Sequence, residues 1–199
     1  MLKHRIIAER LECGTDEAGR GCLAGPVTAA AVILPENFKH EWLNDSKQLS
    51  LQKRNLLRPV IEKESLCYGV AHVMPEKIDE INILNASILA MHNAIDQLEP
   101  IPEYILVDGN KFKTYKNIGH ECVIKGDSKY MNIAAASVLA KTYRDEYMLN
   151  LHMEYPDFFW HKNKGYPTKA HRSSIEIHGP TIHHRKSFRL LPEQLRLEL

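Results

Sequence analysis

Apolar residues recur along the chain with two spacings, which predict alternating strands and helices. Short apolar runs have the length of buried strands, at 11–13, 26–34, 66–73, 104–107 and 122–124. Helical spacing follows Ser50, a candidate cap, with an apolar face of Leu51, Leu56, Leu57, Val60 and Ile61, and it returns at 78–95, 131–153 and 168–177. No internal repeat or low-complexity linker interrupts this order. The pattern therefore predicts an α/β fold.

The apolar runs predict strands in different environments within the sheet. The run at 26–34 is closed by Pro35 and suits a buried strand antiparallel to the first run. The runs at 104–107 and 122–124 are continuously apolar rather than alternating. Continuous apolarity predicts strands that are covered on both faces.

The stretch 14–21 carries the densest candidate chemistry. The first apolar run delivers two adjacent acids, Asp16 and Glu17, and the turn Gly19-Arg20-Gly21 follows at once. Because side chains alternate faces along a strand, both acids point into one site only if the strand ends here, and we predict that it does. The glycines permit a sharp exit and let main-chain N–H groups approach a ligand. An ordinary polar turn with solvated acids is the alternative.

Three aspartates share one position relative to the predicted strands. Asp16, Asp108 and Asp127 each follow an apolar run and each enters a polar turn. In open α/β sheets ligands bind outside the strand ends, so these carboxylates are candidates for one cleft, where a cation would offset their repulsion. An all-oxygen set favours Mg²⁺ or Mn²⁺ over zinc. The alternative is that Asp108 and Asp127 only begin turns.

Composition adds an uneven distribution of charge. The 199 residues are 44% hydrophobic with a formal net charge of +1, which predicts a globular chain and gives no overall sign of a nucleic-acid partner. Residues 161–189, however, hold seven Lys or Arg against one acid, Glu176, so the remaining chain is net acidic. This basic segment is a candidate anion-binding surface.

The cysteines and the absence of targeting signals bear on the compartment. Cys13, Cys22, Cys67 and Cys122 have no Cys-x-x-Cys spacing and lie within or beside apolar runs, so we expect free thiols and a reducing cytoplasm. No opening segment resembles a signal peptide, and no run approaches the roughly 20 apolar residues of a membrane span. We expect a protein with no membrane association.

An ordered set of motifs resembles the ribonuclease HII family, the type 2 ribonucleases H. The matching segments run through nearly the whole chain: Asp16-Glu17-Ala18-Gly19-Arg20-Gly21, Leu23-Ala24-Gly25-Pro26-Val27, Asp45-Ser46-Lys47, Ile78-Asp79, Asn82-Ile83-Leu84, Val107-Asp108-Gly109, Gly126-Asp127, Ala134-Ala135-Ala136-Ser137, Ala140-Lys141, Arg144-Asp145, Gly165-Tyr166-Pro167-Thr168 with His171, Gly179-Pro180-Thr181, His184-Arg185 and Ser187-Phe188. Cys22 departs from the family, which most often has proline there.

The resemblance implies a fold, an activity and a cofactor. The fold is RNase H-like, a mixed five-stranded sheet flanked by helices, with a catalytic domain at 1–155 and a basic, helical C-terminal region at 156–199 that completes the substrate cleft. The activity is endonucleolytic cleavage of RNA in RNA–DNA hybrids and at single ribonucleotides in duplex DNA, by a monomer, leaving 5′-phosphate and 3′-hydroxyl ends. The implied acids for two Mn²⁺ or Mg²⁺ ions are Asp16, Glu17, Asp108 and Asp127.

The resemblance also assigns substrate recognition. It implies that the backbone of Gly19, Arg20 and Gly21 senses the 2′-hydroxyl while the Tyr166 ring packs on the following deoxyribose. Candidate phosphate contacts are Lys47, Lys141, Arg144, His184 and Arg185, although a solvated surface charge is the alternative for each. Two other functions stay open, a non-catalytic nucleic-acid-binding module and a related metal-dependent DNA nuclease.

Overall fold

The computed structural model describes residues 2–7, 9–43 and 49–192, and its centre is one five-stranded sheet. The strands are β1 (Glu12–Ala18), β2 (Val27–Ile33), β3 (Cys67–Val73), β4 (Tyr104–Asp108) and β5 (Gly119–Val123), in the order β3-β2-β1-β4-β5. The β1–β2 and β2–β3 pairs are antiparallel, whereas β1–β4 and β4–β5 are parallel. The predicted mixed sheet is confirmed, as is the antiparallel start.

Five helices accompany the strands within the described part of the chain. They are α1 (Leu51–Glu64), α2 (Pro75–Ile95), α3 (Met131–Glu154), α4 (Trp160–Asn163) and α5 (Lys169–His178), with 3-10 turns at Gly126–Ser128 and Pro156–Phe158. The Ser50 side chain accepts a hydrogen bond from the Lys53 N–H and caps α1, as predicted. None of these helices combines the length and the apolarity that a membrane crossing needs.

Helices cover both faces of the sheet and bury its centre. On one face α2 packs against apolar residues of β1, β2 and β4, and on the other α3 and α1 pack against β2. A Cβ atom at Gly14 would lie 2.2 Å from the α3 backbone at Asn132 and Ile133, so glycine here allows α3 to cross directly over β1. This close crossing brings the side chains of α3 next to the end of β1.

The C-terminal region extends the core beyond the sheet. A third apolar cluster joins three parts of the chain: the segment after β1, the second half of α3, and the short helices that follow α3. Its buried residues are Leu23, Ala24, Met148, Leu151, Phe158, Trp160 and Ile175. The basic segment of the sequence is therefore held against the chain that follows the strand carrying Asp16 and Glu17.

The structure corrects three predictions about local structure. β1 does not end at Asp16: it continues to Ala18, because β2 still pairs with it through Asp16–Ala30 and Glu17–Ala29. β5 is not covered on both faces, because it lies at the edge of the sheet and exposes alternate residues. The apolar face of α1 is narrower than predicted, since Leu51 and Leu56 are about half exposed.

Candidate functional site

The register of the sheet brings Asp16 and Asp108 to the same edge. β1 and β4 run parallel and pair up to Thr15–Val107, so the next residue of each strand is one of these two aspartates. Asp16 lies on the face of β1 that α3 covers, beside Ser137 and Lys141, and its side chain is buried. The structure therefore brings these two acids to neighbouring positions on parallel strands, with β1 continuing past Asp16.

The third aspartate is positioned through Asp108. The carboxylate Oδ1 of Asp108 accepts a hydrogen bond of 2.6 Å from the Gly126 N–H, and Lys125 adopts a left-handed conformation just before it. This bond fixes the 3-10 turn that carries Asp127, which is buried. Asp127 thus directly follows the residue that Asp108 binds, in the turn after β5.

Glu17 lies on the other face of β1 from Asp16, because the strand continues through both residues and does not turn the two side chains into one site as predicted. Its Oε1 accepts a hydrogen bond of 3.0 Å from the half-exposed Arg20 guanidinium, whereas its buried Oε2 has no hydrogen-bond partner. A buried carboxylate oxygen without a donor is costly unless a cation approaches it. The unpartnered oxygen is a feature of the site that a bound cation would satisfy.

Burial and nearby negative charge raise the proton affinity of Asp16 and Glu17. Burial, followed by the negative charges of Glu17 and Asp108, raises the pKa of Asp16 to about 7, although Lys141 and Ser137 act in the opposite direction. Burial also raises the pKa of Glu17 despite its contact with Arg20, and Asp108 adds to that effect. Like charges in a buried site favour binding of a divalent cation.

The acidic side chains are neighbours, but they do not form a closed cage. Across the described ranges, no three His, Cys, Asp or Glu side chains already surround a point at which they could hold a metal ion. The donor types fit Mg²⁺ or Mn²⁺, which take oxygen ligands. A bound ion would therefore have to draw the carboxylates together.

Two buried arginines contact the backbone of the glycine turn 19–21 and of the chain that follows it. Gly19 has a φ of +90°, and Arg144 donates hydrogen bonds to the backbone carbonyls of Pro26, Lys164 and Ala24. Arg185 donates to the carbonyls of Arg20 and Gly25. Both guanidinium groups fix the path of the chain at residues 19–26.

Three of the candidate phosphate contacts are corrected by their burial. Arg144, His184 and Arg185 are 2%, 1% and 0% exposed, so they are neither surface charges nor open to a phosphate. Their polar atoms are used on the protein's own backbone and side chains instead. Lys141 is partly open and donates to Ser137 Oγ, and Lys47 lies outside the described residues.

Tyr166 stands at the other side of the glycine turn. The Gly165 carbonyl accepts a hydrogen bond of 2.8 Å from the Leu23 N–H, which fastens the Tyr166 loop to the chain just after the turn. A Cβ atom at Gly165 would lie 2.5 Å from the Ala24 carbonyl oxygen, so only glycine permits this approach. Tyr166 itself is 48% exposed, with its ring available to a ligand.

The turn and the Tyr166 loop both line a basic cavity of about 370 Å³. Its lining consists of Ala18, Gly19, Arg54, Lys141, Arg144, Asp145, Lys162, Asn163, Lys164 and Tyr166. Arg54 had no role in the sequence predictions, because a single cation on an exposed helix face gives no signal. Ser137 could have been found, because it precedes Lys141 by four residues and so shares its helix face.

Comparisons with known proteins agree with this arrangement. The Ribonuclease HII family profile matches residues 13–191. The chain is 65% identical to a ribonuclease HII of Christiangramia forsetii, over 93% of each chain, and 64% identical to one of Parabacteroides distasonis, over 99% of each. A crystal structure of ribonuclease H2 from Pyrococcus horikoshii superposes with a TM-score of 0.74 at 25% identity, covering 90% of this chain and 94% of that one. The RNase H-like fold is thereby confirmed.

Proposed function

This chain belongs to the ribonuclease HII family, and on that premise we propose that it cleaves duplex DNA at single embedded ribonucleotides by two-metal-ion hydrolysis. Membership gives the coarser activity directly: the protein is an endonuclease that hydrolyses RNA in RNA–DNA hybrids. The proposal adds the substrate with one ribonucleotide, the metal mechanism and the residues that carry it. The observation that supports it best is the partly buried acidic group, with an unpartnered Glu17 oxygen, beside a basic cavity.

The residues that would hold the metal are the four acids. Asp16, Glu17 and Asp108 interact electrostatically, and Asp127 is held next to Asp108 by the turn at Gly126. When bound, two divalent ions supply an activated water and stabilise the charge on the leaving oxygen. Hydrolysis of this kind leaves 5′-phosphate and 3′-hydroxyl ends. The protein's own part is to keep the carboxylates partly shielded from water and oriented for the ions.

Recognition of the ribonucleotide is assigned to the two sides of the basic cavity. The 2′-hydroxyl is the group that separates RNA from DNA at one position, and it donates and accepts hydrogen bonds. The turn 19–21 presents backbone groups close to the acids, and Tyr166 presents an exposed ring across the cavity. We assign sensing of the 2′-hydroxyl to Gly19, Arg20 and Gly21, and packing on the next deoxyribose to Tyr166.

The basic walls of the cavity suit the phosphates of the duplex. Lys141 and the C-terminal residues Lys162 and Lys164 line it together with Arg54, so the region 156–199 contributes one wall of the cleft. We include Lys47 as a further phosphate contact. The proposal also has the enzyme act as a monomer in the cytoplasm, where the free thiols at Cys13, Cys22, Cys67 and Cys122 persist.

One cleavage assay separates this function from its alternatives. The substrates are a duplex with one ribonucleotide, the same duplex made only of DNA, and an RNA–DNA hybrid, each with and without Mg²⁺ or Mn²⁺. We expect metal-dependent cleavage of the first and third only. Equal cleavage of the all-DNA duplex would instead identify a DNA nuclease.

The matched variant is Asp108→Asn, which preserves the shape of the side chain and removes its charge. We expect cleavage to fall by at least about 100-fold while hybrid binding is retained, because a metal ligand contributes several kcal/mol to the transition state. A non-catalytic binding module predicts unchanged behaviour on every substrate.

A further inference from the structure

A chain of buried side chains connects the two recognition elements. Trp160, His171 and His184 are 0%, 0% and 1% exposed, and they contact one another inside the C-terminal region. The Trp160 Nε1–H donates to His171 Nε2 at 3.0 Å, and the two histidine Nε2 atoms are 3.2 Å apart. The reaction as proposed above gives none of them a role.

Each end of this chain of contacts reaches one recognition element. His171 Nδ1 is 2.9 Å from the carbonyl oxygen of Tyr166. His184 forms a backbone bridge with Ala24, and the flanking bonds Arg185 N–H to Leu23 O and Gly25 N–H to His183 O fasten it to the chain that leaves the glycine turn. The path from the turn to Tyr166 is therefore continuous and shielded from water.

The hydrogen-bond partners allow one arrangement of protons. The Thr181 N–H donates to His184 Nδ1 at 2.9 Å, so the His184 proton resides on Nε2 and is donated to His171. His171 Nε2 accepts from both His184 and Trp160, so its own proton resides on Nδ1 and is donated to the Tyr166 carbonyl. A second proton on His171 would lie on Nε2 and face the Trp160 N–H, and one on His184 would lie on Nδ1 and face the Thr181 N–H. Both histidines are neutral in this network.

We propose that His171 and His184 are positioning residues that hold Tyr166 at a fixed distance from the turn 19–21 and so determine selectivity for the ribonucleotide–deoxyribonucleotide junction. The inference rests on the recognition roles given above. The Thr168 N–H also donates to the Tyr166 carbonyl, but it belongs to the same loop. The Tyr166 carbonyl therefore has two partners among the residues that the structure describes, and only His171 connects it, through His184, to the chain that leaves the glycine turn.

Two substitutions at one position isolate the bond to Tyr166. His171→Asn can place its amide N–H where Nδ1 stood, whereas His171→Leu has no donor. Both remove the acceptor for Trp160, so they share that cost in stability and differ in the bond to Tyr166. The measurement is kcat/KM on the one-ribonucleotide duplex divided by kcat/KM on the hybrid, with Tm and circular dichroism as folding controls. We expect His171→Leu to lower this ratio by about 10-fold or more and His171→Asn to stay within about threefold of the wild type.

A second pair repeats the test if His171→Leu does not fold. His184→Gln retains a donor toward His171, and His184→Leu does not, so the same ratio should fall in His184→Leu only. Equal losses on both substrates, or a ratio that Asn and Gln do not restore, would overturn the proposal.

Nitrogen-15 NMR of the histidine rings tests the network without substrate or metal. We expect the proton of His171 on Nδ1 and that of His184 on Nε2 at pH 7, and the opposite tautomers would contradict the proposal. This readout is independent of cleavage. If the wild type showed no preference for ribonucleotides, the proposed function would fail while the tautomers still reported on the network.

Discussion

The Arg144 guanidinium lies directly against the backbone of Gly19. A Cβ atom at Gly19 would come within 2.0 Å of Arg144 Nε, and the φ of +90° there disfavours any side chain. The arginine is held by three backbone carbonyls and cannot move aside without releasing them. The turn at the edge of the site is thus fixed by a contact that only glycine permits.

Gly19→Ala should therefore damage both the turn and the activity. The clash and the strained backbone together should cost about 2–4 kcal/mol of unfolding free energy, and cleavage of the one-ribonucleotide duplex should fall by about 100-fold or more. Urea unfolding and the cleavage assay measure the two effects. Gly21→Ala is the control for stability, because nothing lies within 4 Å of its Cβ position. Equal unfolding free energies of the two variants would argue against the contact.

Removing the negative charge of Glu17 should reduce the response of the protein's stability to divalent cations. In the wild type, Mn²⁺ should raise Tm because it binds the folded acids and offsets their repulsion. Glu17→Gln should reduce that rise and lower cleavage by about 100-fold or more, as expected for a ligand of a catalytic ion. Glu121→Gln, an exposed acid on the edge strand, should behave like the wild type. A full Tm response in Glu17→Gln would exclude Glu17 as a ligand.

Much of this site could be predicted from the spacing of apolar residues along the chain and from the acids that follow the apolar runs. The order of strands and helices follows from apolar spacing, and the nearness of Asp16 and Asp108 follows from their equivalent positions on two neighbouring parallel strands. The continuation of β1 through Glu17 could not be predicted, because it depends on pairing with Ala29 in another strand. Strand pairing supplies hydrogen bonds that outweigh the preference of a Gly-rich segment for a turn.

Burial of charged side chains was the main feature that the sequence could not reveal. Arg144 and Arg185 belong to a basic or polar stretch, and such residues are exposed in most proteins. Here backbone carbonyls near the glycine turn satisfy both guanidinium groups, and those carbonyls are distant in sequence. The same holds for His184, whose partners His171 and Thr181 come together only when the C-terminal region folds.

The open cations of the cavity should control the dependence of binding on salt. Lys162 is exposed and lines the cavity, so Lys162→Gln should weaken hybrid binding and reduce the slope of log K against log salt by about 1. Fluorescence anisotropy between about 50 and 200 mM KCl measures this slope. Lys77→Gln is the matched control, because the Lys77 ammonium is engaged by Glu80 at 2.7 Å. A slope that changes equally in both variants would show that Lys162 does not contact phosphate.

The buried histidine pair should make the fold sensitive to acid. Burial, and then the neighbouring rings of His171 and His183, lowers the pKa of His184 from 6.5 to about 4. The unfolded chain therefore binds more protons than the folded one between these values, so the stabilising effect is complete above about pH 6.5 and is lost as the pH falls toward 4. The loss for this one group is at most about 3 kcal/mol.

His184→Gln removes the titrating ring and retains a donor to His171. Its unfolding free energy should fall less than that of the wild type between pH 7 and pH 4.5, when both are measured in urea at several pH values. His178→Gln is the control, because His178 is an exposed histidine at the end of α5. Parallel pH profiles for the wild type and His184→Gln would mean that the His184 ring is protonated as readily in the folded protein as in the unfolded chain, in conflict with the single arrangement of protons that its partners allow.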